Sequence, residues 1–370
     1  MKLTRHEPGL PHDVVELILE RLPVKSLQSF KSVSKQWRST INSQSFKERQ
    51  SLCRRLSRGP DVLFVRLDDP CLVDGDDSQR CTFGSSSAYT VTLPKTAASI
   101  CNSICDGLVC LYDVYEPGKP NLLVNPATGW HQSFPLSTIQ HFFVDLWKKN
   151  QSARTAPPEL GFGKDKLTGT YKAVWLYNSA EYGLGNVTTC EVFNFSTRAW
   201  RYVVPASPCR ILTLQFPVHF DGSLYWLTTE GEVLSFDLHA ETFQVITKAP
   251  FRHAADGFTA TMCVLDNRLC VSQKHRTTQV IWWLDDSSSG TWNQLCSIDL
   301  TNAFSWFRGE TRFVLPPVAI LDKKKLLLRG PGTDGAALIY DLDTKSCDVL
   351  FIPPNPLGSV TYFESLFSVL

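Results

Sequence analysis

The sequence predicts a mainly β protein with a small N-terminal α module: a short helical segment followed by a β-propeller-like domain of five or six blades. Over roughly the first forty residues, apolar side chains recur at steps of three or four, as in helices. From residue 61 onward the period is two, as in strands. A unit of strands and turns then recurs about every 54 residues, near the length of a propeller blade. These patterns divide the chain into a helical module over 1–50, a basic linker over 51–60 and a β domain over 61–370.

The first predicted helix lies between Pro11 and Leu22. Pro11 suits a first helical turn, where its missing N–H costs nothing, and Asp13 complements the positive helix end. Pro23 ends the helix. The apolar residues of this helix cover an arc of roughly 200°, whereas a one-sided surface helix needs only about 100°. They are Val14, Val15, Leu17, Ile18, Leu19 and Leu22.

A second apolar seam follows at helical spacing, and a third short helix is predicted over 43–50 with Phe46 facing inward. The seam consists of Leu27, Phe30, Val33, Trp37 and Ile41. Two or three short helices cannot bury this much apolar surface among themselves, so part of it must meet something else. We favour a helix-to-helix contact with another protein, and packing on the downstream domain is the alternative.

Several spaced positions of this segment form a pattern. They are Leu10-Pro11, the acidic-then-apolar first helix, Leu22-Pro23-Val24, Leu27, Phe30, Val33 and the run Lys35–Arg38. The segment resembles an F-box, which implies docking onto a Skp-family adaptor that hangs from a cullin scaffold in a ubiquitin ligase. The positions that the resemblance implies as adaptor-facing are Leu10, Pro11, Ile18, Leu22, Leu27, Val33 and Trp37. For each of them the alternative is a place in the internal core of the module.

Composition argues against several partners and locations. The hydrophobic content of 43% is ample for a core, the charged content of 20% is ordinary, and the net charge is +1. This balance indicates neither nucleic acid nor an acidic membrane as a partner. The first residues lack the apolar run of a signal peptide, and no stretch approaches the roughly 18 apolar residues of a membrane span. We therefore expect the chain in the cytosol, the nucleus or both.

In such a compartment the 12 cysteines are expected to be reduced, small, buried residues. Cys101, Cys105 and Cys110 come closest to a cluster, but their spacing fits no zinc pattern, and we predict no metal site and no cofactor. A GxGxxG match at Gly330–Gly335 precedes a strand and not a helix, so we predict a hairpin loop there. No HExxH or GxSxG pattern occurs, and we predict no catalytic residue.

The β domain begins with a strand-like run, Asp61–Leu67, and continues as a repeated pair of elements. The first element is a two-residue turn followed by a strand, and the second is a strand, a polar turn and a strand. The first occurs at Asp106-Gly107, Asp221-Gly222, Asp266-Asn267 and Asp322-Lys323. A ring of sheets buries faces that one sheet cannot, so five such units predict a propeller. The first strand and the last run, VTYFESLFSVL, are predicted to form a closing blade, and an irregular β-sandwich is the alternative.

The order of these units is itself informative. GLVCLY with NPATGW, GFGKDKLTGTYKAV, CEVFNFSTRAWR and FDGSLYWLT follow one another over roughly residues 95 to 365. They resemble the F-box-associated domain of plant F-box proteins, which is kelch-like in its repeats. Two features depart from that pattern: Lys164 stands where an aromatic residue is common, and 137–155 looks like an insertion that forms a short helix. The insertion either contacts a partner or packs on its own blade.

We interpret the chain as the substrate-recognition subunit of an SCF-type ubiquitin ligase complex, and not as an enzyme. The F-box docks the adaptor, and the β domain holds an unknown target protein near the ubiquitin-transfer machinery, so that its contribution is proximity. Two alternatives stay open. A kelch-type propeller enzyme would need a metal or a cofactor, whereas an adaptor-bound interaction protein would act without ubiquitin transfer.

Overall fold

The computed structural model describes the chain from residue 10 to residue 369 with several gaps. The described ranges are 10–67, 80–83, 86–93, 99–101, 103–113, 119–149, 151, 156–253, 256–285, 290–301, 313–330, 337–351 and 358–369. Most of the GxGxxG match at 330–335 falls outside them, so the hairpin loop predicted there stays a prediction. Among the described residues, no helix combines the length and the apolar character that crossing a membrane requires.

Four helices form the N-terminal module, and they divide the chain differently from our prediction. They are α1 (His12–Leu19), α2 (Val24–Phe30), α3 (Lys35–Asn42) and α4 (Gln44–Ser57). The second apolar seam is split between α2 and α3, because the Ser34 hydroxyl accepts a hydrogen bond from the Trp37 backbone N–H (3.1 Å) and starts a new helix. Helix α4 continues to Ser57, so it includes residues 51–57 of the basic linker predicted over 51–60.

The core of the module is small and includes one residue from the far end of the chain. Fully buried side chains from all four helices meet there. They are Leu19, Val24, Leu27, Ile41 and Phe46, and Leu366 joins them from the C-terminal segment. The module therefore packs directly on the β domain.

The β domain consists, over its described residues, of six four-stranded sheets arranged as propeller blades. The closing blade combines β1 (Asp61–Leu67), β2 (Arg80–Phe83) and β3 (Ser86–Leu93) with β24 (Gly358–Tyr362) from the other end of the domain. Each of the other five blades uses four consecutive strands.

Blade 1 consists of β4 (Ser99–Ile100), β5 (Val109–Tyr112), β6 (Asn121–Asn125) and β7 (Trp130–Phe134), and blade 2 of β8 (Leu160–Lys164), β9 (Tyr171–Asn178), β10 (Thr188–Asn194) and β11 (Ala199–Tyr202). Blade 3 consists of β12 (Val218–Phe220), β13 (Ser223–Leu227), β14 (Glu232–Asp237) and β15 (Phe243–Lys248), and blade 4 of β16 (Ala260–Leu265), β17 (Arg268–His275), β18 (Thr278–Leu284) and β19 (Trp292–Asp299). Blade 5 consists of β20 (Pro317–Leu321), β21 (Lys325–Arg329), β22 (Ala337–Asp341) and β23 (Cys347–Phe351).

Strand β1 closes the ring. It pairs antiparallel with β24, from Asp61↔Tyr362 onward, and parallel with β3. Because side chains alternate along a strand, β1 serves two neighbours: Leu63 packs toward blade 1, whereas Val62 packs toward blade 5. Apolar clusters fill all six junctions between neighbouring blades. The predicted propeller with a closing blade is confirmed, and the β-sandwich alternative is wrong.

Two kinds of turn recur at one end of the blades, as the repeat predicts. In blades 1, 3, 4 and 5, the turns between first and second strands have two residues with positive φ, for example Asp221 (45°) and Gly222 (83°), which is the geometry that joins strands without splaying them. The turns between third and fourth strands begin with an Asn or Asp whose side chain accepts backbone N–H groups; Asn194 accepts from Ser196 at 2.8 Å. We call this end the module face, because the module contacts it, and the other end the opposite face.

The predicted insertion forms a helix, α5 (Thr138–Lys148), which lies between blades 1 and 2. The Ser137 side chain and Gln140 form a capping box at its start. The Glu191 carboxylate accepts from the backbone N–H groups of Thr138 (2.8 Å) and Ile139 (3.0 Å) and so neutralises the positive helix end. The short helix is confirmed, and its buried face packs on the chain's own blades.

Candidate adaptor and target surfaces

The structure places the seven predicted adaptor-facing residues in three environments. Leu10, Ile18 and Val33 are 64%, 48% and 60% exposed. Pro11, which follows Leu10 in the sequence, is exposed as well. Leu22 and Trp37 are half-buried at the edge of the module's core. These six residues are not covered by the propeller.

The prediction that Leu27 faces the adaptor is wrong. Its side chain is fully buried in the module's core, so it has no surface to offer to another protein. In the structure Leu27 stabilises the module from within, which is the alternative stated above for every member of the set. Sequence spacing alone does not separate the inward and outward sides of a helix whose apolar arc is this wide.

Contacts between helices join the module into one connected unit. The His12 ring lies 3.1 Å from the Thr40 hydroxyl, which joins the start of α1 to α3. The rings of Phe30 and Trp37 meet edge to face with centroids 5.6 Å apart, which joins α2 to α3. Arg49 on α4 bridges the carboxylates of Glu16 on α1 and of Glu20, the residue that follows this helix. The four helices of the module are therefore held together by these contacts.

Two arginines at the end of α4 fix the module to the propeller. The Arg54 side chain, which is about 10% exposed, lies 2.8 Å from the Glu364 carboxylate and 3.5 Å from that of Asp61. Arg55 lies 3.2 Å from the Asp106 carboxylate in a turn of blade 1. Buried ion pairs of this kind need good geometry to offset the loss of hydration, and they set an orientation as well as a contact.

Asp106 is the centre of this junction. Besides Arg55, its carboxylate accepts from the Lys164 ammonium (2.8 Å) and the Tyr171 hydroxyl (2.8 Å). Burial alone would raise the pKa of Asp106, but the Lys164 charge and these hydrogen bonds hold it below its ordinary value. The Lys164 ammonium also lies over the rings of Tyr171 and Phe367. Lys164, which stands where an aromatic residue is common, therefore joins the junction through its ion pair with Asp106 and its contacts with two aromatic rings.

The C-terminal segment lies between the module and blade 1. The Asn125 side-chain amide donates to the carbonyl oxygens of Ser365 (3.0 Å) and Phe367 (2.8 Å). Gly107 faces this segment with φ of 73°, and a Cβ there would lie 2.6 Å from the Phe363 carbonyl oxygen. Only glycine fits at this turn position without moving the segment. The sequence analysis missed this junction, because no pattern in the sequence pairs residues so far apart.

The propeller encloses a central channel of about 800 Å³. Arg55 and Asp106 line it at the module face, and Arg329 lines it with Phe216, Pro316 and Pro317. His219 faces the channel from blade 3, and burial lowers the pKa of its imidazole to about 4, so the ring is neutral at pH 7. The mixture of apolar walls and a few charged groups is typical of a binding cavity.

The chemistry of the remaining titratable groups is that of a packed interior. Burial raises the pKa of Glu159 to about 6, and the Tyr112 hydroxyl donates to its carboxylate. The ten cysteines whose side chains the structure describes are free thiols, and burial raises the pKa of Cys101 to about 12. In the described ranges, no three His, Cys, Asp or Glu side chains are placed to hold a metal ion.

Comparison with known proteins identifies the class that this fold and this module define. Residues 8–49 match the F-box domain, and residues 81–368 match the F-box associated beta propeller domain. The chain therefore belongs to the family of F-box proteins that carry this propeller.

Its relatives include proteins of Arabidopsis thaliana with the same architecture over nearly the whole chain. F-box protein At5g10340 is 49% identical over 99% of this chain and 86% of its own length, and F-box protein At2g34280 is 48% identical over 98% and 99%. F-box/LRR-repeat/kelch-repeat protein At1g09650 is 46% identical over 98% of this chain and 97% of its own length. The plant F-box resemblance is confirmed, whereas the kelch-like character of the repeats stays a prediction.

Proposed function

We propose that this chain is the substrate-recognition subunit of an SCF-type ubiquitin ligase and that its module docks a Skp-family adaptor, which links it to a cullin scaffold. The observation that carries the proposal is the exposed apolar set of Leu10, Ile18 and Val33 on an F-box module whose own core is already complete. Exposed apolar side chains clustered on a small module are typical of a protein interface. Half-buried Leu22 and Trp37 border this set and complete the proposed contact.

The β domain is the proposed holder of the target protein. The module occupies one face of the propeller, so the opposite face and its loops are free for a second protein. A target held there has a high effective concentration near the ubiquitin-transfer machinery, and the chain itself supplies no catalytic group. An adaptor-bound protein in this role works in the cytosol, the nucleus or both.

A pull-down with a purified Skp-family adaptor tests the docking step. Ile18→Asp combined with Val33→Asp places two charges on the proposed contact without disturbing buried residues, and we expect capture by the adaptor to be lost. Leu167→Asp is the matched control, because Leu167 is 75% exposed on a propeller turn and outside the proposed contact. Equal capture of the double variant and the control would refute adaptor docking through this surface.

The step of ubiquitin transfer needs a separate measurement. Once a target has been identified by affinity purification under proteasome inhibition, its half-life is compared with and without the chain. A shorter half-life in the presence of the chain, abolished by Ile18→Asp with Val33→Asp, is the expected result. An unchanged half-life with intact adaptor binding would instead assign the chain as an interaction protein without ubiquitin transfer.

A further inference from the structure

The charged groups of the central channel are unevenly paired along its length. Four cations and two carboxylates line it: Arg55, Lys164, Lys166, Arg329, Asp106 and Asp221. Both carboxylates are paired at the module face, where Asp106 accepts from Lys164 (2.8 Å) and Asp221 accepts from Lys166 (2.6 Å). Arg329 lies farther from that face, because it ends β21, a strand that starts next to a module-face turn. The two lining carboxylates therefore pair with cations other than Arg329.

The Arg329 guanidinium is placed to hold an anionic group inside the channel. It lies over the ring of Phe216, another lining residue, 5.3 Å from the ring centroid. The Arg329 backbone N–H donates to the Pro316 carbonyl (2.9 Å), which fixes the end of β21 in the channel wall. A guanidinium has five N–H donors in a fixed plane, more than one ring contact occupies, and it binds a carboxylate with two parallel hydrogen bonds. Arg329 is thus suited to the carboxylate of a ligand.

The electrostatics around Arg329 favour a ligand with one negative charge. Glu159 lies outside the channel lining, but it is close enough for its charge to act on Arg329. The Tyr112 hydroxyl donates to the Glu159 carboxylate and holds it in place. A phosphate monoester would add about −1.5 to −2 charge near this carboxylate, whereas an organic carboxylate adds a single charge. The site therefore suits a monocarboxylate better than a phosphate.

His219 supplies a hydrogen-bond donor in the channel wall. Its Nε2 accepts from the Lys164 backbone N–H (3.4 Å), so the proton of the neutral imidazole is on Nδ1. Burial lowers the pKa of this imidazole to about 4, which keeps the ring neutral at pH 7. Over the described ranges, no protein group accepts a hydrogen bond from Nδ1. A carbonyl or hydroxyl oxygen of a ligand would satisfy this donor.

The channel walls between these polar groups are apolar. Met262 and Val264 line them from blade 4, Val318 lines them from blade 5, and Val360 lines them from the closing blade. The channel volume of about 800 Å³ lies within the roughly 300–1,000 Å³ of small-molecule sites, and burial of apolar ligand surface supplies affinity. The channel therefore suits a molecule with an apolar body and one carboxylate.

We propose that the central channel binds a small organic monocarboxylate, with its carboxylate at Arg329 and its apolar body along Met262, Val318 and Val360. An oxygen acceptor elsewhere on the ligand receives the His219 Nδ1–H. The site lies inside the ring, separate from the loops of the opposite face that are proposed to hold the target protein. It therefore goes beyond the proposed function and does not depend on adaptor docking.

The methyl group of Met262 reports on the site directly. The chain has two methionines, and the other is Met1, so carbon-13 labelling of the methionine methyl groups in the full-length chain places a single NMR signal in the channel. Met262→Leu assigns that signal by removing it. The probes are phenylbutanoate, para-hydroxyphenylpropanoate and octanoate, each compared with its neutral primary amide. We expect saturable shifts of the Met262 signal by one or more of the acids, with at least roughly tenfold higher affinity than the matching amide.

Substitutions at two arginines locate the bound carboxylate. Arg329→Gln should remove the preference for acid over amide, whereas Arg329→Lys, which keeps the charge, should retain part of it. Arg268→Gln is the matched control, because the Arg268 guanidinium lies over the Trp283 ring (4.2 Å to the centroid) but outside the channel lining. No saturable shift by any acid, equal affinities of acid and amide, or equal losses in Arg329→Gln and Arg268→Gln would each overturn the proposal. The first two outcomes are measured on the parent chain, so they stand even if Arg329→Gln does not fold.

Discussion

The helical module and the propeller use their apolar side chains differently. In the propeller, each blade shares an apolar junction with both neighbours, and the ring leaves no junction open. In the module, one small core is complete while Leu10, Ile18 and Val33 stay exposed. The comparison teaches that the blade junctions of the propeller are completed within the chain, whereas the module leaves apolar side chains exposed beside its core.

Truncating one side chain of a blade junction should have the largest effect on stability. Trp175 is fully buried between blades 1 and 2 and meets Tyr112 edge to face at 5.3 Å. Trp175→Ala is expected to lower the free energy of unfolding by about 3–5 kcal/mol, because it leaves a cavity in a packed core. Urea unfolding followed by far-ultraviolet circular dichroism measures the free energy of unfolding of both chains. A loss below about 1 kcal/mol would mean that the junction is not well packed.

Breaking the junction between the two regions should have the next largest effect. Arg54→Met keeps most of the side-chain volume but leaves the carboxylates of Asp61 and Glu364 without this cation. We expect a loss of about 2–3 kcal/mol and faster hydrogen exchange in α4, since unpaired buried charges are costly. Lys35→Met, at an exposed position of α3, is the comparison variant. Exchange in α4 that stays as slow as in the parent chain would show that Arg54 does not hold the module in place.

The pH dependence of the free energy of unfolding tests a buried carboxyl group in the interior of the propeller. Because burial raises the pKa of Glu159 to about 6, its charged form is penalised in the folded state. The stability that the neutral Glu159 carboxyl contributes is fully present below the ordinary carboxyl pKa, and it is lost as the pH rises through about 6. The parent chain should therefore lose about 1–2 kcal/mol between roughly pH 4.5 and 7 that Glu159→Gln does not lose. Parallel pH profiles of the two chains would contradict this assignment.

Substitutions on the exposed side of the module should have the smallest effect on stability. Leu10→Ser and Ile18→Ser remove apolar groups that are already in water, so the free energy of unfolding should change by no more than about 0.5 kcal/mol. The same variants should weaken adaptor binding about tenfold or more, as expected for apolar anchors of an interface. Leu27→Ala provides the contrast, because it should destabilise the module itself. A stability loss in Leu10→Ser or Ile18→Ser equal to that of Leu27→Ala would erase the distinction between the two sides.

The parts of the fold that local pattern determines were predictable from the sequence. The strand-like run Asp61–Leu67 was predictable from its local residue types, and the structure shows it as β1, packed between blades 1 and 5. The two-residue turns such as Asp221-Gly222 were predictable because positive φ at both positions favours these residue types.

The parts that depend on long-range pairing were not predictable. Asp106 meets Arg55 and Lys164, which lie 51 and 58 residues away in sequence, and no spacing rule brings such residues together. The inward place of Leu27 and the helical state of 51–57 follow from packing against Leu366 and Glu364, at the other end of the chain.

The central claim is that the exposed side of the module is covered by a Skp-family adaptor while the propeller keeps its opposite face free. Hydroxyl-radical footprinting of the full-length chain, with and without the adaptor, tests it residue by residue. The account predicts strong protection of Leu10, Ile18 and Val33 and unchanged reactivity of His275 and Phe313. Unchanged reactivity of the three module residues, with protection confined to the propeller, would contradict it.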